Sequence, residues 1–340
     1  MRVFIGEFIC GGGMRRRTRD SIEPSLAAEG AAMLSAIAHD AAKVAELSIP
    51  VDPRLAPSLP DSMLHEMELR SALWGQWVRA AQGCDAAILI APESNGVLAK
   101  AVGMLRAGGI DVIASTGNFL RAAGDKHQTA RIFSTSGVPH PVTYNPADSF
   151  SLERLRSFDR YIVKPFDGCG TQQITLFDEL DAAVQAATPN MVMQGFVPGK
   201  AISIAAIINS HETFVLPAVS QTVSIQSCTY HGGEGPLSED KQRRAVALAQ
   251  KALVSMPPSP RGFIGFDMVL GDNPAHDVVI EVNARLTTSY VGLRHMVSSN
   301  LAARLLGLES GPIQCRVHAN AVRWTASGDV WLNSEPISVP

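Results

Sequence analysis

Short apolar runs that alternate with segments of helical spacing constrain the fold of this chain more than any other feature. Residues 2–9 (Arg-Val-Phe-Ile-Gly-Glu-Phe-Ile) form a largely apolar run that leads into Gly11-Gly12-Gly13, which predicts a buried strand closed by a turn. Between 23 and 47, Leu26, Met33, Leu34, Ile37, Ala41 and Val44 recur at helical spacing, as a helix with one apolar face requires. Four prolines between 50 and 60 predict a loop, and a second helix is expected over 61–82. Residues 86–91 and 110–114 read as strands on either side of a further helix ending near 107. Such alternation implies a parallel sheet, so residues 1–115 are expected to form an N-terminal α/β domain.

Beyond residue 115 the rhythm changes. A helix over 119–135 precedes a strand at 160–164, a glycine-bearing loop at 165–171, a strand at 172–176, a helix at 178–187 and a strand at 190–196, which is an α+β unit. Four further strands are expected at 201–209, 213–221, 262–270 and 278–283, with helices at 239–254 and 289–306. The predicted class is α/β, α+β in its second part, divided into units 1–115, 116–195 and 196–340.

Composition narrows the function classes. With 46% hydrophobic and 18% charged residues, the chain has ample core material and is not a disordered or low-complexity sequence. A net charge of −3 provides no basic field for nucleic acid. No apolar stretch reaches the roughly 18 residues of a membrane helix. The five cysteines are scattered without a C-x-x-C pair, which argues against a disulfide framework or a structural zinc site. The first residues lack the small-residue cleavage site of a signal peptide, so a cytoplasmic location is expected. No coiled-coil pattern reveals an oligomeric state.

Five groups of residues could carry chemistry. Asp267 lies on one predicted strand and Glu281, Asn283 and Arg285 on the next, two residues apart and so directed to one face. If the strands pair, two carboxylates and an amide oxygen converge as hard ligands suited to Mg²⁺. Arg285 beyond them would offer a planar fork to a phosphoryl group. Lys164 is delivered by a strand into a loop with Asp167, Gly168, Gly170 and Thr171, whose backbone N–H groups can approach phosphates. Lys126 begins a helix, where a cation is disfavoured unless its charge is used elsewhere. Gln194, Phe196 and Val197 end a strand and could offer a purine backbone partners and apolar walls. Thr287, Thr288 and Ser289 precede a helix, either as caps or as donors to an oxyanion.

Order and spacing join these groups. Asp125-Lys126, Lys164-Pro-x-Asp-Gly-x-Gly, Gln194-x-Phe-Val-x-Gly, Asp267 and Glu281-x-Asn-x-Arg resemble the ATP-grasp superfamily over about residues 110–300. The first 115 residues suit the α/β domain that precedes the grasp in that superfamily. The resemblance implies that Lys126 and Lys164 hold ATP phosphates, that the 167–171 loop covers them, and that 194–197 is the adenine hinge. It further implies that Asp267, Glu281 and Asn283 hold Mg²⁺ or Mn²⁺, with Arg285 at the transferred phosphoryl group. Two departures stand out: Gly195 where an acid is common, and Lys200-Ala201 where a glutamate usually meets the ribose.

Gly6-Glu7-Phe8 with Gly11-Gly12-Gly13, Ala91-Pro92-Glu93, the 231–236 segment (His-Gly-Gly-Glu-Gly-Pro) and the 283–290 segment are similar to the branch containing the tyramine–glutamate ligases of methanofuran biosynthesis. Ala284 stands where that branch usually has proline. The branch implies an ATP-dependent ligase that joins small-molecule carboxylate and amine substrates through an acyl phosphate. Glu7, Gly12, Glu93, Tyr230, His231 and Thr288 are its candidate substrate residues, with Glu7 and Glu93 suited to an ammonium group or explained as turn residues. Ligation or phosphorylation of other small molecules, and an ATP-binding sensor without turnover, remain the alternatives; the complete metal set favours catalysis.

Overall fold

Val3 and Ile5 leave one side of the first strand, β1 (Arg2–Glu7), and Phe4 leaves the other; all three are buried. Val3 and Ile5 meet Leu34 and Ile37 of helix α1 (Pro24–Ala41), whereas Phe4 joins a cluster with Trp77 and Leu98. A run apolar on both faces is what a helix-covered parallel sheet demands. In the computed structural model, which describes residues 1–55, 57–147, 152–168, 173–224, 229–312 and 321–337, β1 pairs in parallel with β2 (Glu46–Val51) and β4 (Ala86–Ile90). The edge strand β3 (Met63–Glu66) adds to β2, giving the order β3-β2-β1-β4. Helices α2 (Leu73–Ala80) and α3 (Val97–Ala107) cover the face opposite α1. Each large apolar side chain fully withdrawn from water here contributes about 1.5–3 kcal/mol.

Helices α4 (Gly117–Ala123) and α5 (Lys126–Ser136) lead to an antiparallel sheet of β5 (Thr143–Tyr144), β6 (Tyr161–Pro165), β7 (Thr175–Phe177) and β8 (Met191–Gly195), in the order β5-β8-β6-β7. Helix α6 (Leu180–Ala186) packs on it, and its core is small and separate: Leu155, Tyr161, Val163, Ala183 and Met193. We call this unit the lid.

The largest sheet is built on β9 (Lys200–Ile208), with β10 (Thr213–Val215), β11 (Val219–Val223), β12 (Tyr230–Gly235), β13 (Gly262–Leu270) and β14 (Val278–Asn283). Beyond β12 it adds β15 (Val322–Thr325), β16 (Val330–Leu332) and β17 (Glu335–Ile337), and its path runs β14-β13-β9-β11-β12-β15-β16-β17 with β10 on β9. Ile202, Ile204 and Ala206 pack with Ala245, Leu248 and Ala252 of α7 (Glu239–Ser255). Ala205 and Ile207 face α8 (Tyr290–Met296) and α9 (Leu301–Leu305). These two clusters are also those of the N-terminal sheet, so both units share their cores. Between α1 and α8, Asp40 accepts hydrogen bonds from Arg294 Nη2 (2.6 Å), Arg294 Nε (2.9 Å) and Tyr290 (3.0 Å). Burial alone would push the Asp40 carboxyl up; Arg294 outweighs it and holds the group below its ordinary range. Among the described residues no helix is long and apolar enough to cross a membrane.

Several local expectations are corrected. The helix predicted to run to 47 ends at Ala41, because Leu47, Ile49 and Val51 are needed as β2 beside β1. The helix expected over 61–82 shrinks to 73–80, since 63–66 pair with β2. The 119–135 helix breaks at Gly124-Asp125, where the Asp125 carboxylate caps α5 by accepting the Gln128 N–H at 2.9 Å. The 289–306 helix breaks likewise, and the side chain of Asn300 caps α9. Residues 110–114 contribute only an isolated parallel bridge between Val112 and Ala87. The strands at 230–235 and beyond 322 were outside the sequence expectation; glycines and single apolar positions carry little strand signal.

Candidate functional site

β13 and β14 run antiparallel with Asp267 opposite Glu281 and Gly265 opposite Asn283, and a bulge follows Asp267. Alternation turns Phe266 and Val282 into the core and leaves the polar set on the other face. Asp267 accepts the Asn283 amide at 2.9 Å and the Gln221 amide, from β11, at 2.8 Å. Burial, and then the charge of Glu281, raise its pKa to about 6. Burial would raise Glu281 too, but Lys126 and Lys164 outweigh it and hold that carboxyl below its ordinary value. Lys126 Nζ lies 2.9 Å from Glu281.

Lys126 explains itself in this setting. Its Nζ also donates to the carbonyl of Gly168, and its backbone N–H to that of Phe166 at 2.8 Å. The buried cation at the start of α5 therefore ties the lid to the carboxylate face, and this offsets its unfavourable place at a helix N-terminus. Lys164 is buried on β6, and its charge reaches Glu281 as well. Arg285 donates from Nε to Glu93 at 2.8 Å, bringing the turn after β4 to the same place. Asp167 faces the same turn and accepts the Asn95 N–H at 3.0 Å. Gly168 is described; Gly170 and Thr171 lie outside the described residues.

A divalent cation fits the donor set. Two carboxylates that face each other across a strand pair, one of them raised to about 6, sit beside an amide side chain. Among the described residues no cluster of three or more His, Cys, Asp or Glu could hold a metal, so any ion here would rely on few protein ligands, as Mg²⁺ commonly does.

At the end of β8, Gln194 is buried and donates to Thr143 Oγ1 at 2.9 Å. The Phe196 N–H continues the ladder to Arg160 O at 2.9 Å, and the Arg160 guanidinium lies 4.3 Å from the Phe196 ring centroid. Val197 follows directly after these contacts. Gly195 has a steric reason: a Cβ there would come within 2.5 Å of the Phe158 ring.

The remaining sequence candidates separate. Thr288 is buried and donates to Glu29 on α1. Tyr230 accepts the Trp324 indole N–H at 3.0 Å; burial raises its pKa, and Glu29 and Asp267 both add to the shift. It therefore stands near the carboxylate face, while His231 next to it is exposed. Glu7 is buried, accepts the Cys10 N–H at 2.6 Å, and is raised to about 7 by desolvation. Gly12 has a positive φ of 88°, and its neighbours Gly11 and Gly13 abut Trp77 and the Phe8 backbone. Packing accounts for that turn. Gln221, Glu29 and Asn95 were not foreseen, because each meets its partner only through tertiary contacts 46, 259 and 72 residues distant in sequence.

Residues 45–118 match the pre-ATP-grasp domain family and residues 123–289 the ATP-grasp domain family. No curated protein matches the chain. Among solved structures, the chain is similar to an ATP-grasp superfamily protein of Archaeoglobus fulgidus, at 23% identity over 95% of this chain and 92% of that one, with a TM-score of 0.70. N5-carboxyaminoimidazole ribonucleotide synthetase of Thermus thermophilus follows at 18% identity, covering 95% and 82% with a TM-score of 0.66. L-amino acid ligase of Bacillus licheniformis is 15% identical, with coverage of 95% and 78% and a TM-score of 0.65. A parallel α/β sheet, a small antiparallel lid and a large sheet bearing paired carboxylates are thus accounted for together: the chain belongs to the ATP-grasp superfamily.

Proposed function

We propose that the protein is an ATP-dependent carboxylate–amine ligase that works through an acyl phosphate. One observation carries this reading: Lys126, Lys164 and Arg285 converge from three separate elements on Asp267, Glu281 and Asn283. Cations and hard oxygen ligands gathered at one place suit a triphosphate and its metal. The substrates we propose are the γ-carboxylate of L-glutamate and tyramine or a related aryl-ethylamine, in methanofuran-type cofactor biosynthesis. The sequence similarity to that branch supports this pair, and a solved neighbour named as an L-amino acid ligase supports the ligase class. A cytoplasmic location and the division at 115 and 195 belong to the same reading.

Asp267, Glu281 and Asn283 would hold Mg²⁺ or Mn²⁺, which when bound neutralises phosphoryl charge. Lys126 and Lys164 would bind the phosphates, releasing Glu281 from its present pairing with Lys126. The adenine would lie along 194–197 between β8 and the large sheet, and the 167–171 loop would cover the phosphates. In the first step a carboxylate oxygen attacks the γ-phosphorus and ADP leaves, with Arg285 beside the transferred group. In the second, the neutral amine nitrogen attacks the acyl carbon and phosphate departs, carrying off the proton that the nitrogen sheds. Glu93, Tyr230, His231 and Thr288 are the proposed substrate side of the cleft, whereas packing of the turn after β1 accounts for Glu7 and Gly12.

ADP release from purified protein with Mg-ATP, L-glutamate and tyramine, each omitted in turn, tests this. Release that needs both substrates, with a product of glutamyl-tyramine mass, is expected. Release with glutamate alone, trapped by hydroxylamine, would retain the mechanism and exclude tyramine. Transfer of phosphate to a stable product would make the protein a kinase, and ATP binding without release under any combination would make it a sensor.

A further inference from the structure

Glu93 holds one oxygen against Arg285 and leaves the other buried with no hydrogen-bond partner among the described residues. The side chain is only 8% exposed. It is boxed in as well: a Cβ on Gly124, in the link between α4 and α5, would lie 3.3 Å from the Glu93 Cβ. The turn that carries it is pinned by the Asn95 N–H to Asp167 of the lid. Nearby Gly96 and Asn95 take left-handed backbone angles, φ of 63° and 54°, a conformation that asparagine tolerates better than most residues. A buried carboxyl oxygen kept from water without a donor is costly, and such groups concentrate at functional sites.

We infer that the free Oε1 of Glu93 receives the N–H of the incoming amine, so that this one carboxylate holds Arg285 with one oxygen and the nucleophile with the other. The inference rests on the ligase reading and assigns a residue to its second step. Arg285 lies close enough to Asp267 and Glu281 to bias both, which places it on the phosphoryl side of the cleft. A carboxylate that bridges it to the amine sets the nitrogen next to the acyl carbon, and such positioning is a large part of catalysis in joined reactions. It also favours an amine that arrives as its ammonium ion, which makes a charge-assisted hydrogen bond to Oε1 and passes a proton to it before the nitrogen lone pair attacks. Glu7 is not equivalent, since the Cys10 N–H already occupies its carboxylate.

Glu93→Gln keeps the shape and an oxygen for Arg285 but puts an amide nitrogen where the amine should donate. The assay runs with Mg-ATP and L-glutamate, using tyramine or hydroxylamine as the nucleophile. Hydroxylamine is small and neutral at pH 7.5 and intercepts the acyl phosphate without a carboxylate partner. The expected result is a KM for tyramine raised roughly tenfold to a hundredfold, the worth of a charge-assisted bond, well beyond any fall in hydroxamate formation. A parallel fall with both nucleophiles would mean that Glu93 acts only by holding Arg285, and no change with either would mean that its free oxygen is idle; each overturns the inference. Wild-type protein that yields neither hydroxamate nor amide overturns the ligase reading and this inference with it.

Discussion

The turn after β1 and the polar face of β13 and β14 both stood out in the sequence as acids and glycines at strand ends, and the fold uses them in opposite ways. In the turn, neighbours of the ordinary packing kind explain each residue. A Cβ on Gly6 or Gly11 would strike the Trp77 ring at 2.7 or 2.8 Å, one on Gly13 would strike the Phe8 carbonyl at 2.4 Å, and one on Gly30 would strike the Glu7 carboxyl at 2.9 Å. On the β13 and β14 face the polar groups meet cations drawn from α5, the lid and the segment after β14. Residues that fill space are explained by what is close to them in the core, whereas the carboxylates on the β13 and β14 face are explained by charges that the chain brings in from elsewhere.

The largest effect that could break this contrast lies in the turn. Trp77 is fully buried, stacks edge-on against Phe4 at 5.7 Å and donates to Gly11 O at 2.8 Å. Trp77→Ala should cost about 3–5 kcal/mol in urea unfolding and leave the ATP affinity of the folded fraction unchanged. Full stability with lost ATP binding would turn the assignment round. Next, Asp267→Asn should lower ADP release about a hundredfold to a thousandfold with Tm held within a few degrees, because burial and Glu281 already disfavour the charged form. Turnover at the wild-type rate would remove the carboxylate pair from the mechanism.

A smaller effect separates the two acids by pH. The Glu7 pKa is raised from 4.5 to about 7 when folded, so its share of stability is complete below pH 4.5 and is lost as pH rises through 7. Relative to wild type, Glu7→Gln should therefore gain up to about 3 kcal/mol between pH 4.5 and 8, read from urea midpoints at the two values. A flat difference would show that Glu7 is not buried as an acid. The smallest change is expected just after β8, where Phe196→Leu removes the contact of the Arg160 guanidinium with the ring. That should cost about 0.5–1 kcal/mol of stability and shift ATP affinity less than threefold if backbone groups hold the adenine. A tenfold loss measured by calorimetry would make the ring itself the adenine wall.

Much of this was legible before any coordinates. The alternation of apolar runs and helical spacing, a strictly local signal, yields the parallel sheet, α7, β13 and β14. The two-residue spacing of Glu281 and Asn283, with Asp267 on the neighbouring strand, indicates a shared face, because side-chain direction in a strand is set by parity. Local spacing misled where a segment's fate hangs on a partner: 63–66 became a strand because β2 offered an edge, and 119–135 broke because Asp125 could cap a new helix. The tertiary structure alone placed Glu93 against Arg285, Gln221 against Asp267 and Glu29 against Thr288, and alone gave the glycine turn to packing. Those contacts join residues far apart in the chain, and a linear pattern carries no record of which distant side chain will arrive to satisfy a buried charge.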